Sequence, residues 1–190
     1  MSAVGDRTSV RRRLGASLLV LVLLLSTVVI VSTAPEGVEA RAGIFQTEGG
    51  WSVEVVDGEG IVGIQSSLAI DDFGYAHIAY RNYDDSTLRY ATNADGFWNI
   101  TTVDTEVSVD EDSEISLALD SENNVHICYM SYYNSEDENL IYATNAGGSW
   151  TTTLVDAHYQ AGYYNDIFVD GSDHVHIAYS VQNAASDTDL

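Results

Sequence analysis

The stretch Ser67-Leu68-Ala69-Ile70-Asp71, with His77-Ile78-Ala79-Tyr80 opening six residues after its Asp, decides the fold because the chain writes it three times. It returns as Ser116-Leu117-Ala118-Leu119-Asp120 with His126-Ile127-Cys128-Tyr129. A third copy is Asp166-Ile167-Phe168-Val169-Asp170 with His176-Ile177-Ala178-Tyr179. Working outward, Arg89-Tyr90-Ala91-Thr92-Asn93 returns as Ile141-Tyr142-Ala143-Thr144-Asn145. A Trp stands five residues beyond each Asn, at Trp98 and Trp150, and Val103-Asp104 and Val155-Asp156 close the units. Trp51 with Val56-Asp57 is an earlier copy of that closing piece. Identities at so many fixed offsets mark a tandem structural repeat.

Each unit reads as four short strands separated by turn residues. In the first unit these are a (66–71), b (75–80), c (88–92) and d (98–103). Leu68 and Ile70 share one face of a; His77 and Ala79 lie on the face of b opposite Ala76, Ile78 and Tyr80. The a–b connections open with Asp71, Asp120 or Asp170 and carry Gly74, Asn123 or Asp173 in fourth place. Such residues cap a type I turn and tolerate a left-handed backbone. No helical periodicity follows residue 40.

Four strands per unit of about 50 residues, in tandem, is the sequence form of a β-propeller; a β-helix and a flat β-solenoid are the alternatives. The expected fold is all-β: a partial propeller of four-stranded antiparallel blades preceded by an N-terminal hydrophobic helix. Its parts are a lead-in with a lone outer strand (41–65), blade one (66–104), blade two (115–156) and an incomplete blade three (166–190), stopping before any c or d strand. Propellers close with about 4–8 blades, so about two and a half predict a piece of something longer.

These motifs resemble the tandem repeat of secreted bacterial and archaeal sialidase-like or BNR-like β-propellers. The resemblance rests on the Tyr-Ala-Thr-Asn, Gly-x-Trp, Val-Asp, Ser-Leu-Ala-Ile-Asp and His-Ile-Ala-Tyr pieces and covers residues 46–190. Gly96 and Gly148, two places before a Trp, resemble a shortened Asp-box. The resemblance implies a fold and says little of activity. Sialidases of this kind use three Arg; the repeat region here has Arg81 and Arg89, and Arg89 aligns with Ile141, so that triad is not assembled in this chain.

The N-terminus reads differently. Arg11, Arg12 and Arg13 precede an apolar run from Leu14 to Val31, the pattern of a secretory signal. Val38-Glu39-Ala40 suits cleavage after Ala40; a site after Ala34 would put Pro35 next. The run also approaches the length that spans a bilayer, so residues 1–40 are a signal peptide or an uncleaved signal-anchor. Either reading places the rest outside the cytoplasm, secreted or held at the cell surface.

The 190 residues carry 29 Asp plus Glu against 7 Lys plus Arg, a formal net charge of −22. All seven bases are Arg, and four lie in the first 13 residues. That composition excludes nucleic-acid binding through a basic face and leaves an uncleaved anchor as the only membrane attachment expected. A single Cys, Cys128, makes no internal disulfide and, standing where the other copies have Ala, reads as a small core hydrophobe.

In a propeller the d–a and b–c loops share one face, and function concentrates there. On it lie Tyr132, Tyr133, Tyr159, Tyr163 and Tyr164, which could stack on sugar rings, with Tyr163-Tyr164 the best pair. Asp110, Asp112, Glu136 and Asp137 are candidate ligands for Ca²⁺, set against a solvated acidic surface that serves solubility; no other cofactor is implied. His77, His126 and His176 recur once per unit, as do Asp71, Asp120 and Asp170 and Trp51, Trp98 and Trp150. A catalytic group is needed once, so these read as structural, the His filling a gap between blades. His174 and His176 could pair on zinc but lack further ligands.

The leading function is therefore a non-catalytic extracellular module for binding or scaffolding, its ligand a glycan or a cell-surface protein. The alternatives are a glycosidase or lyase with catalytic residues in other blades, and a structural spacer of an envelope protein.

Overall fold

A computed structural model describes residues 28–33, 44–46, 51–105, 107, 114–132, 138–158, 161–182 and 188–189. Among them every regular element is a strand, and no helix is long and apolar enough to cross a membrane. Strand β1 (Val28–Thr33), β2 (Ile44–Gln46) and β3 (Trp51–Asp57) form an antiparallel sheet in the order β1-β3-β2. The piece expected as a lone outer strand is thus the middle strand of three. The expected hydrophobic helix and the cleavage positions lie outside the described residues, except that the last residues of the apolar run belong to β1.

The first two repeats are four-stranded antiparallel meanders. One holds β4 (Val62–Ile70), β5 (Ala76–Asn82), β6 (Thr87–Thr92) and β7 (Asn99–Asp104) in sequence order. The other holds β8 (Ile115–Leu119), β9 (Val125–Tyr132), β10 (Glu138–Thr144) and β11 (Thr151–Asp156). The third repeat has β12 (Asn165–Val169) on β13 (Val175–Tyr179), then β14 (Val181–Gln182) on β15 (Thr188–Asp189). β15 adds two residues of pairing where the sequence placed no third strand. Registers agree across the repeats: Leu68 faces Ile78, Leu117 faces Ile127 and Ile167 faces Ile177.

The turn chemistry explains why these segments are hairpins. Asp71 Oδ1 accepts the N–H groups of Phe73 at 2.9 Å and Tyr75 at 2.8 Å; Asp120 does the same for Glu122 and Asn124, and Asp170 for Ser172 and His174. The fourth turn residue is left-handed in each, at Gly74 (φ 86°), Asn123 (62°) and Asp173 (61°), a region that Gly, Asn and Asp enter at least cost. The Asn of Tyr-Ala-Thr-Asn ties strand c back to strand b. Asn93 Oδ1 accepts the Ala76 N–H at 2.8 Å, and Asn145 Oδ1 the Val125 N–H at 2.7 Å.

The units stack face to face. Ala79, Leu88 and Tyr90 of the first pack on Leu117, Ile127, Tyr129 and Ile141 of the second, with Trp150 edge-on to Tyr90 at 5.2 Å. Cys128 and Leu140 of the second pack on Ile167, Ile177 and Tyr179 of the third. Removing these side chains from water drives the stacking, and polar bonds fix its register. Ser67 Oγ accepts the Leu117 N–H at 3.0 Å, and Ser116 Oγ the Ile167 N–H at 3.2 Å. At each junction the closing Asp takes a phenol from the next strand b: Tyr80 to Asp57 (2.8 Å), Tyr129 to Asp104 (2.6 Å) and Tyr179 to Asp156 (2.8 Å). In this respect β3 stands where the d strand of a preceding unit would stand.

Candidate functional site

The recurrent His are held within their own units. His77 is 5% exposed; its Nδ1 lies 2.6 Å from the Tyr90 hydroxyl and its Nε2 3.3 Å from Asp71 Oδ2. His126 repeats this with Tyr142 and Asp120, at 2.6 and 3.2 Å. An ionised carboxylate only accepts, so a neutral ring carries its proton on Nε2 and accepts a hydrogen bond from the phenol O–H at Nδ1. Burial would raise the Asp71 and Asp120 carboxyls, but turn N–H groups and the His outweigh it and hold both below the usual range. In the third unit His176 and His174 are open to solvent and both meet Asp170, at 3.1 and 3.3 Å. The His176 bond, with the backbone N–H groups of His174 and Ser172, holds Asp170 far below the usual carboxylate value.

The junction tyrosines are held as donors. Burial first, and then the Asp104 carboxylate, push the Tyr129 phenol well above its ordinary value; burial and Asp57 do the same to Tyr80. Burial pushes the Cys128 thiol up to about 12, and its Sγ lies 2.9 Å from Asn165 Oδ1. Arg89, which replaces the Ile of the second unit, bridges Asp57 at 2.9 Å and Asp85 at 3.0 Å. Burial opposes ionisation of Asp57, yet bonds from the Glu59 N–H, Tyr80 and Arg89 keep it below its ordinary value. Sequence reasoning missed this pair; the signal was the charge of Arg89 in an otherwise uncharged strand.

Of the exposed aromatics, Tyr164 and Tyr83 lie on the looped face, while Phe73 and Phe97 lie in the short turns of the other. Tyr163 and Tyr164 meet edge to face, ring centroids 5.3 Å apart at 82°, and Tyr164 is 55% exposed. They sit just before β12 on a braced backbone. The Tyr164 N–H donates to Ser180 Oγ at 3.2 Å, and the Ser180 N–H to the Tyr164 carbonyl at 2.9 Å. The Gly162 N–H reaches the Ser180 carbonyl at 2.9 Å, while Asn165 Nδ2 donates to the Gly162 and Glu114 carbonyls. His158, bonded to Asp156, is exposed in the same loop. Both partners of the best-ranked tyrosine pair are thus together, one packed and one presented.

Tyr83, outside the candidate set, is a further exposed aromatic on this face; the Arg81 guanidinium carbon lies 5.5 Å from its ring centroid. Its signal was its place directly after strand b. Of the other candidates, Tyr132 ends β9, while Tyr133, Tyr159, Asp110, Asp112, Glu136 and Asp137 lie outside the described residues. Among the described residues no three His, Cys, Asp or Glu are grouped to hold a metal ion. Trp98 packs on Val56, Ile78 and Tyr80, in the place that Trp150 takes one unit later.

No family model matches the sequence, and no curated protein matches it; neither comparison supports the sialidase-like family. Among solved structures, the chain is similar to a fucose lectin from Kordia zhangzhouensis in complex with methyl-fucoside. The identity is 16% and the TM-score 0.47, over 65% of this chain and 87% of that one. A likeness of that degree decides neither the blade architecture nor a ligand.

Proposed function

We propose that the chain is an exported stack of propeller-type blades that binds a glycan on its looped face without acting on it. What carries the reading is Tyr164, half open to solvent on a backbone fastened at both sides, with Tyr163 against its ring. A fixed aromatic face suits the apolar face of a sugar ring and loses little freedom on binding. The recurrent Asp, His and Tyr are engaged in turns and junctions, so ligand recognition falls to residues that differ between units. Export rests on the Arg cluster and the apolar run that follows it.

The test is a glycan array followed by calorimetric titration of the best binder. Tyr164→Ala is expected to weaken binding at least about tenfold, or about 1.4 kcal/mol, with the thermal midpoint unchanged because the ring is exposed. A chain that binds no glycan, or binds one equally well after Tyr164→Ala, refutes the reading. Turnover of a bound glycan would return the glycosidase or lyase alternative.

A further inference from the structure

Inside the chain each unit covers the forward face of the one before it. His77 and Ala79 are 5% and 0% exposed, and His126 and Cys128 likewise. In the third unit the same positions are open: Phe168 is 64% exposed, and His176, Ala178 and Asp166 are also exposed. They line a shallow recess of about 170 Å³.

The opposite end has the matching deficit. On the rear face of the first unit the outer half is covered, because Val56 packs on Ile78, Tyr80 and Ala91 and Asp57 takes the Tyr80 phenol. The inner half is not. Leu68 is 53% exposed, whereas its counterparts Leu117 and Ile167 are 7% and 6% exposed; Ile70 is 57% exposed. Here β3 takes the place of a closing strand and β1 lies against β4, yet Leu68 and Ile70 stay open, and an a–b hairpin is what covers their counterparts at the internal junctions. The β12–β13 hairpin at the other end is such a hairpin, with its forward face bare.

We propose that a second copy of this chain seats its β12–β13 hairpin on β4, head to tail, in the register of the internal junctions. The polar fastener is in place. Asp166 faces Ala178 as Ser67 faces Ala79 and Ser116 faces Cys128. Those two hydroxyls accept the N–H groups of Leu117 and Ile167; the Asp166 carboxylate already accepts the Ser116 hydroxyl at Oδ1, at 3.0 Å, and would accept the Leu68 N–H of the second copy at its other oxygen. Such a contact is heterologous and generates rings or filaments. The inference rests on the stacking of the repeats and not on the glycan reading.

The experiment is sedimentation velocity of the full 190-residue chain. The wild type sediments as an assembly, and Phe168→Asp or Leu68→Asp alone gives monomers, since each removes one half of every junction. An equimolar mixture of the two variants regains dimers, because one intact pair of faces survives between them. Ala178→Arg reads the forward face again should Phe168→Asp lower the thermal midpoint. Tyr164→Ala leaves the assembly intact, which separates failure here from failure of the glycan reading. A monomeric wild type, variants that sediment like the wild type, or a mixture that stays monomeric would each overturn the proposal.

Discussion

Tyr129→Phe removes one oxygen from the junction between the first two units and leaves the rest of the packing in place. The ring is fully buried among residues of both units, so Phe keeps the apolar contact. What is lost is the bond from the phenol to Asp104 Oδ2 at 2.6 Å. A hydrogen bond to a charged group is worth about 1.5–3 kcal/mol. Asp104 is half-buried, so water recovers part of that, and the expected loss is about 2 kcal/mol. This is about thirtyfold in the folding equilibrium. Urea unfolding should show a midpoint lower by about 1 M at unchanged slope. Combining Tyr129→Phe with Asp104→Asn in a double-mutant cycle should return a coupling of about 1.5 kcal/mol. Tyr80→Phe should cost less, about 1 kcal/mol, because Arg89 and the Glu59 N–H still satisfy Asp57. A loss below about 0.5 kcal/mol at Tyr129, or no coupling to Asp104, would refute the reasoning that these phenols fasten unit to unit.

Two further outcomes are expected. Gly162→Ala should destabilise by about 2–3 kcal/mol, since at φ +90° its Cβ would lie 2.8 Å from Leu140 Cδ1 and 3.3 Å from Leu140 Cα. Gly96→Ala, at φ +83° with nothing within 4 Å, should cost only about 1 kcal/mol, and equal losses in urea unfolding would contradict the packing. Asp57, Asp71, Asp120, Asp156 and Asp170 all sit below the ordinary value of 3.8 in the folded chain. The folded state then binds fewer protons than the unfolded one, so their contribution is present above about pH 4 and lost as pH falls through the folded values. The urea midpoint should drop steeply below about pH 4, and Asp120→Asn should flatten that limb; an unchanged limb would remove Asp120 from the account.

The strands and turns were legible because both signals are local. Alternation in Leu68-Ala69-Ile70 and the Asp-to-Gly spacing of the turn each need only a few residues, and the three copies confirm one another. The fasteners were legible as positions but not as bonds. Ser67 looks like any strand serine until a second unit brings the Leu117 N–H to it, a contact 50 residues away. The place of a unit in the stack leaves no trace in the pattern: Leu68 and Leu117 occupy the same register, yet one is 53% exposed and the other 7%. Arg89 with Asp57, and β3 between β1 and β2, lie outside the repeat, so periodicity said nothing of their partners. The Tyr163-Tyr164 pair was visible as adjacent aromatics on a loop. That Tyr164 is the presented ring follows from the Ser180 bonds, which are tertiary.

The most direct test of the stacked-repeat account is native-state amide exchange followed by NMR at Leu117 and Ile167. Both belong to edge strands, β8 and β12, whose outward amides are ordinarily open to water. Each donates to a serine of the preceding unit, so both should be protected in the wild type. Ser67→Ala should speed exchange at Leu117 by about tenfold while sparing Ile167, and Ser116→Ala should do the reverse. Wild-type exchange at the rate of an open strand edge, or no selective response to the two substitutions, would contradict the account.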